Sequence, residues 1–209
     1  MTQQLETRPA IVTASDTMSY DEFLTRTDED AHREWVEGSS VAMPPVSDDH
    51  SELGGFLIAV VRHYAEARNL GVVRYEPFQM KLGAGLPGRA PDLMFIASDN
   101  LPRLQPTFLD GPADLVVEIV SPESRTRDRG DKFDEYEQGD VREYWLIDAP
   151  RERAEFYQRD PNGVFRPVPP NLDGVYHSAA LPGLWLRVAW LWQRPLPPLL
   201  RVLREWGLI

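Results

Sequence analysis

Three charged residues in otherwise apolar or helical surroundings dominate the chemistry open to this sequence. Asp92 lies at the start of Pro91-Asp92-Leu93-Met94-Phe95-Ile96, and Glu118 lies inside Asp114-Leu115-Val116-Val117-Glu118-Ile119-Val120. Each string reads as a buried strand carrying one acid. An ionised carboxylate in such a place is unfavourable unless a cation or a metal meets it. Two of them on strands able to neighbour one another suggest a shared metal site, with Asp92 and Glu118 as its ligands. Their hard oxygens suit Mg²⁺, with Mn²⁺ as a substitute. An ion held there would stabilise charge on phosphorus-bound oxygens and activate a water. The third residue is Lys132, in Asp128-Arg129-Gly130-Asp131-Lys132-Phe133. A helix over this stretch puts Lys132 at the border of the buried face, beside Phe133 and one turn before Tyr136, so its ammonium reaches inward. From there it would orient or deprotonate the water, or neutralise phosphate charge. The plainer alternative is a surface pair with Asp128 at i−4. The trio points to metal-assisted phosphodiester cleavage.

Weaker candidates surround these three. Glu34 and Glu37 fall on a strand before the core, and His50 and Glu52 in the first turns of a long helix. Any of them is a candidate to complete a metal shell or to bind a water. Arg125, Arg127 and Arg129 are candidate phosphate contacts. Glu123, Asp128 and Asp131 intervene, so a solvated loop is an equal reading. Gly83-Ala84-Gly85-Leu86-Pro87-Gly88 matches G-x-G-x-x-G in form only, because that motif needs a helix directly after it and a strand follows here. Asp48-Asp49-His50 has no second histidine at zinc-ligand spacing. Ser121 and Ser124 lack the strand-turn-helix setting of a nucleophile elbow.

The elements that must position these residues follow from periodicity and punctuation. Residues 1–15 are polar and aperiodic and read as a loose arm. Ser19 and Glu22 form a capping box for a short helix to about Thr25. Arg33 to Met43 reads as a strand or hairpin turning at Gly38 and stopped by Pro44-Pro45. Ser47 opens a long helix whose apolar stripe is Leu53, Phe56, Leu57, Val60, Val61 and Tyr64, ended by Asn69-Leu70-Gly71. Strands are expected over Val72–Leu82, Ala90–Ala97 and Asp114–Val120, the last two apolar on both parities, as in central strands covered on both faces. A helix follows from Thr126 to about Gln138. Glu143–Asp148 and Ala154–Arg159 then read as a hairpin. Leu181-Pro182-Gly183-Leu184 is a bend, Pro195-Leu196-Pro197-Pro198 a stiff linker, and Leu199–Trp206 a short amphipathic helix. The fold class is α/β, a mixed central sheet flanked by helices. The expected organisation is an arm over 1–15, a single domain over 16–193, and a linker with a terminal helix over 194–209. Parity puts Glu118 on the face of Val116 and Val120.

Composition narrows the setting. The chain has 209 residues, 42% apolar and 26% charged, which is one globular domain's worth. It has no apolar run of membrane-helix length and no cysteine, so disulfides and thiolate chemistry are excluded. With no signal-like N-terminus, a cytoplasmic protein without membrane contact is expected. The net charge of −11 argues against a general nucleic-acid coat. It permits an enzyme that holds phosphates through a local patch and bound cations. The charge is uneven: residues 1–55 carry 12 acids against three arginines, and residues 185–209 four arginines against one acid.

Pro91-Asp92 followed by Glu118-Ile119-Val120 resembles the PD-(D/E)XK nuclease pattern, with Val120 at the usual lysine position and Lys132 displaced to the following helix. More closely, the chain resembles the Uma family of putative restriction endonucleases. The matching strings are Glu34-Trp35-Val36-Glu37-Gly38, Met43-Pro44-Pro45 followed by His50, Arg89-Ala90-Pro91-Asp92, and Asp114-Leu115-Val116-Val117-Glu118. They continue with Ser121-Pro122 and Arg127-Asp128-Arg129-Gly130-Asp131-Lys132, Val141-Arg142-Glu143-Tyr144-Trp145-Leu146-Ile147-Asp148, and Leu181-Pro182-Gly183-Leu184. They span roughly residues 18–192. Glu37 stands where the family often has Asp, and the tail after Trp192 is additional. The resemblance implies a restriction-endonuclease-like core, a divalent metal at Asp92 and Glu118, and Lys132 as general base or phosphate contact. It also implies nucleic acid, DNA first, as partner, and a homodimer. The competing expectation is a non-catalytic nucleic-acid- or protein-binding regulatory module that keeps the fold.

Overall fold

The computed structural model describes residues 17–26, 33–121 and 124–209; the arm expected over 1–15 lies outside them. The first helix, α1 (Tyr20–Arg26), starts as its capping box dictates. The Ser19 amide donates to Glu22 Oε2 at 2.8 Å, and the Glu22 amide to Ser19 Oγ at 3.2 Å. Strands β1 (Arg33–Val36) and β2 (Ser39–Ala42) form the expected hairpin. Its turn places Glu37 and Gly38 at φ 47° and 82°, the paired positive values of a two-residue hairpin loop. Helix α2 (Asp48–Ala67) is capped by Ser47 Oγ, which accepts from the His50 amide at 3.2 Å, and the whole expected stripe is buried.

The central sheet has six strands in the order β11-β10-β9-β8-β6-β3. These are β3 (Gly71–Arg74), β6 (Leu93–Ala97), β8 (Leu115–Ile119), β9 (Glu143–Asp148), β10 (Arg153–Arg159) and β11 (Phe165–Pro167). Only β8 and β9 run parallel; the other neighbours are antiparallel. A parallel pair needs a crossover, and α3 (Arg125–Arg129) with α4 (Asp131–Gln138) supply it. The second sheet, β2-β1-β5-β4-β7, adds β4 (Gln79–Lys81), β5 (Gly88–Arg89) and β7 (Phe108–Asp110). A small hairpin pairs β12 (Val175–His177) with β13 (Trp185–Arg187).

Two apolar clusters cover the two faces of the central sheet. Odd-numbered side chains such as Phe95, Leu115, Val117 and Trp145 pack toward α2. Even-numbered ones such as Met94, Ile96, Val116 and Tyr144 join Met80, Leu109 and Tyr136 on the other face. Glu118 therefore lies on the Val116–Val120 face, as parity requires. The last helix, α5 (Leu199–Glu205), turns back onto α2. Val202, Leu203 and Trp206 enter the larger cluster, with the Trp206 ring edge-on to Tyr64 at 5.3 Å.

Two expected elements are divided in the fold, and a third is shortened. The strand expected over Val72–Leu82 is two strands in different sheets, β3 and β4. Pro77 lacks the N–H that a continuous ladder needs, and the Phe78 amide closes a turn onto the Tyr75 carbonyl at 3.1 Å. The strand expected from Ala90 begins only at Leu93, because Gly88 and Arg89 pair with β1 and β4 in the second sheet. Asp92 thus sits just before β6. The helix expected from Thr126 is broken at Gly130, whose φ −112° and ψ −96° are not helical. A Cβ there would meet the Thr126 carbonyl oxygen at 2.9 Å.

Candidate active site

Two of the chain's crossings between the two sheets, at residues 75–78 and 90–92, fall at one cavity of about 590 Å³. That volume is typical of small-molecule and substrate sites. Asp92, Glu118 and Lys132 all line it, as do His50, Glu76, Arg127 and Asp128. The β6–β8 register pairs Leu93 with Val117, and one step further sets Asp92 opposite Glu118. The two acids are brought together by strand pairing, and the lysine by the crossover helices.

Asp92 is held from two sides. Its Oδ2 accepts from the Ile119 amide at 2.5 Å, and its Oδ1 lies 3.1 Å from His50 Nε2. Burial alone would strip the His50 proton, but the Asp92 carboxylate outweighs it and raises the imidazole above its ordinary value. His50, Glu76 and Asp92 each bring a possible ligand atom within 4.8 Å of the others.

Glu118 is buried, and its Oε1 accepts from Lys132 Nζ at 2.9 Å and from the Tyr136 hydroxyl at 2.6 Å. Burial pushes its carboxyl up to about 8. Lys132 opposes this, while the acids Asp128, Asp92 and Glu34 add to it. Glu34 is fully buried; its Oε2 accepts from Arg89 Nη1 at 2.9 Å, and its Oε1 lies 3.2 Å from Lys132 Nζ. Burial pushes this carboxyl up too, but Lys132 and Arg89 outweigh it and hold it at about 2. Asp128 is raised, chiefly by burial. Its Oδ2 accepts from the Ser124 hydroxyl at 2.5 Å, while Oδ1 is buried without a hydrogen bond among the described residues.

Lys132 is the hub. Burial works against its charge, but Glu118, Glu34 and Asp128, at 2.9, 3.2 and 3.9 Å, together raise its proton affinity above the usual lysine value. The i−4 pair with Asp128 exists, but it lies inside the protein rather than on the surface. Arg89 completes the scaffold, gripping Glu135 of α4 through two parallel bonds of 2.7 Å while it also holds Glu34.

The other sequence candidates divide. Glu34 and His50 reach the site. Glu37 is exposed at the hairpin turn and Glu52 is exposed on α2; neither lines the cavity. Arg125 pairs with Asp148, and Arg129 with Glu155 and Asp148; Arg127 alone of the three lines the cavity. Sequence reasoning passed over Glu76 by running a strand through it, although Pro77 beside it signalled the break. It also passed over the rarity of lysine. The chain has two, Lys81 and Lys132, against 20 arginines. A residue type used so sparingly, at a helical position facing a buried acid, was a stronger signal than its spacing.

Fold and site together define a restriction-endonuclease-like α/β core with a carboxylate-rich cavity between its sheets. A family model, Uma2, described as putative restriction endonuclease, matches residues 20–189, and the chain belongs to that family. The fold is similar to the crystal structure of a putative nuclease belonging to DUF820 from Anabaena variabilis. That similarity has a TM-score of 0.68 and 18% identity, and covers 82% of this chain and 95% of that one. No curated protein matches the chain. Among the described residues no helix is long and apolar enough to cross a membrane.

Proposed function

We propose that this chain is a metal-dependent endonuclease that hydrolyses phosphodiester bonds in DNA. The observation that carries the reading is the convergence of Asp92, Glu118 and Lys132, from three separate stretches of chain, on one cavity. Family membership and the nuclease neighbour support it. The donor set fits a divalent cation. Asp92 and Glu118 are the proposed carboxylate ligands; His50, Glu76 and Asp92 bring ligand atoms within 4.8 Å of one another, while Glu118 lines the same cavity outside that group. Oxygen donors suit Mg²⁺, and Mn²⁺ also accepts the imidazole nitrogen. Such an ion, when bound, supplies Lewis-acid stabilisation of phosphoryl charge and a water of lowered pKa.

The chain's own residues do the rest. The Ile119 amide and His50 fix the Asp92 carboxylate in place. Tyr136 and Lys132 fix Glu118. Lys132, held 2.9, 3.2 and 3.9 Å from Glu118, Glu34 and Asp128, is placed to orient the water and to neutralise phosphate charge. The same proposal makes the protein a cytoplasmic homodimer. A non-catalytic binding module is the second reading, favoured by the net charge of −11, which repels duplex DNA away from a local patch.

Calorimetric titration of Mn²⁺ into the wild type and Glu118→Ala, with plasmid nicking on the same samples, separates the two. Metal binding and nicking in the wild type, both lost in Glu118→Ala and in Asp92→Ala, is the expected result. Nicking that survives both substitutions ends the proposal. DNA binding indifferent to metal and without turnover makes the module reading the correct one.

A further inference from the structure

Arg125, Arg127 and Arg129 share one short helix, but the helical repeat divides them. Positions 125 and 129 are four apart and face the same way, while 127 points roughly opposite. The acids follow that division. Asp148 lies 3.2 Å from Arg125 and 3.4 Å from Arg129, and Glu155 lies 2.6 Å from Arg129. Those two guanidiniums are neutralised and tie α3 to β9 and β10. Arg127 enters the cavity instead, and its Nε is buried with no hydrogen-bond partner among the described residues. Its charge acts on Glu34 and Asp128, but it forms an ion pair with neither. The other cations around the cavity are already engaged: Lys132 by Glu118, Glu34 and Asp128, Arg89 by Glu34 and Glu135.

A half-buried guanidinium whose Nε has no acceptor among the described residues, in a cavity walled by the proposed metal ligands, is complementary to an incoming anion. The planar fork of arginine matches two oxygens of one phosphate. We propose that Arg127 is the phosphate-binding residue of this site, donating to the non-bridging oxygens of the phosphodiester presented to Asp92 and Glu118. Arg125 and Arg129 serve only to hold its helix. The identity of the substrate rests on the nuclease reading; the anion site does not.

The test is calorimetric titration of inorganic phosphate, with Mg²⁺ present, into the wild type, Arg127→Gln and Arg127→Lys. Plasmid nicking kinetics and thermal midpoints are measured on the same samples. Arg127→Gln is expected to weaken phosphate binding by roughly 10- to 100-fold, the loss of one or two charge-assisted hydrogen bonds. Its nicking KM rises by more than its kcat falls, and its thermal midpoint does not drop, since no ion pair is lost. Arg127→Lys keeps the charge without the fork and recovers only part of the affinity. Equal phosphate binding in the wild type and Arg127→Gln, or no phosphate binding in the wild type, overturns the inference. Nicking by the wild type that Arg127→Gln leaves unchanged overturns it too, while the nuclease reading stands. Phosphate binding that depends on Arg127 in a wild type unable to nick any nucleic acid upholds the anion site and ends the nuclease reading instead.

Discussion

Glu34 shows how much of this site is scaffold. It touches Arg89 and Lys132 from a fully buried position, and those two cations hold its carboxyl near 2 rather than at its ordinary 4.5. Replacing it by Gln leaves two buried cations short of an acid, a loss of about 3 kcal/mol that urea unfolding at neutral pH will show. The contribution has a defined pH window. Because the folded value is the lower one, the stabilisation is complete above about 4.5 and disappears as pH falls toward 2. The stability gap between wild type and Glu34→Gln should therefore narrow through that interval. A gap unchanged down to the lower limit removes the ionised Glu34 from the scaffold. Lys132→Met should lower nicking by about 100-fold or more while Mn²⁺ still binds, the scale on which removal of one stabilising charge at a reacting centre acts. Equal loss of metal binding would make the lysine a keeper of the ligands instead. Asp92 and Glu118 were legible as candidates in the chain, since each is an acid beside apolar strand residues, and Lys132 through its helical position beside Phe133 and one turn before Tyr136. Glu76 was not, because its role depends on where the backbone turns.

At the scale of elements, the site depends on interruptions. A continuous strand through Tyr75–Phe78 would have carried Glu76 away from Asp92, and a continuous helix through Gly130 would have fixed the angle between the Arg127 and Lys132 side chains at the helical repeat. Local signals marked these points, Pro77 and Gly130, yet the neighbouring residues read as strand and helix. Propensity averages over a window, whereas a single proline or glycine acts at one residue. The long helix is the opposite case, legible from cap to stop. Ser47→Ala removes the acceptor for the His50 amide and should cost about 1 kcal/mol, a fall in thermal midpoint of about 2–4 °C. Because His50 sits one turn in, against Asp92, Mn²⁺ affinity measured on the same variant reports whether that cap also positions the site. An unchanged midpoint would mean that tertiary contacts alone hold the N-terminus of α2.

Across the whole molecule, the C-terminal tail belongs to the larger apolar core. Trp206 donates its Nε1–H to the Trp185 carbonyl at 2.9 Å and packs on Tyr64 and Trp190. Trp206→Ala should destabilise the protein by about 3 kcal/mol, measured by denaturant unfolding. A loss below about 0.5 kcal/mol, the range of exposed sites, would show the tail to be dispensable. The expected amphipathic helix over Leu199–Trp206 left this open, because such a helix after a proline-rich stretch looks the same whether it meets another molecule or its own α2.

The amino-acid sequence alone determined the α/β class, the alternation that turns Glu118 toward the cavity, the capped long helix and the hairpins. All of these follow from period, caps and turn residues within a few positions of one another. Tertiary structure decided which charges share a space. The pairing of β6 with β8 set Asp92 against Glu118, the crossover helices brought Lys132 to within 2.9 Å of Glu118, and Asp148 and Glu155 neutralised Arg125 and Arg129. Those outcomes depend on contacts between residues far apart in the chain, and local periodicity carries no record of the partner that a charge meets across a sheet.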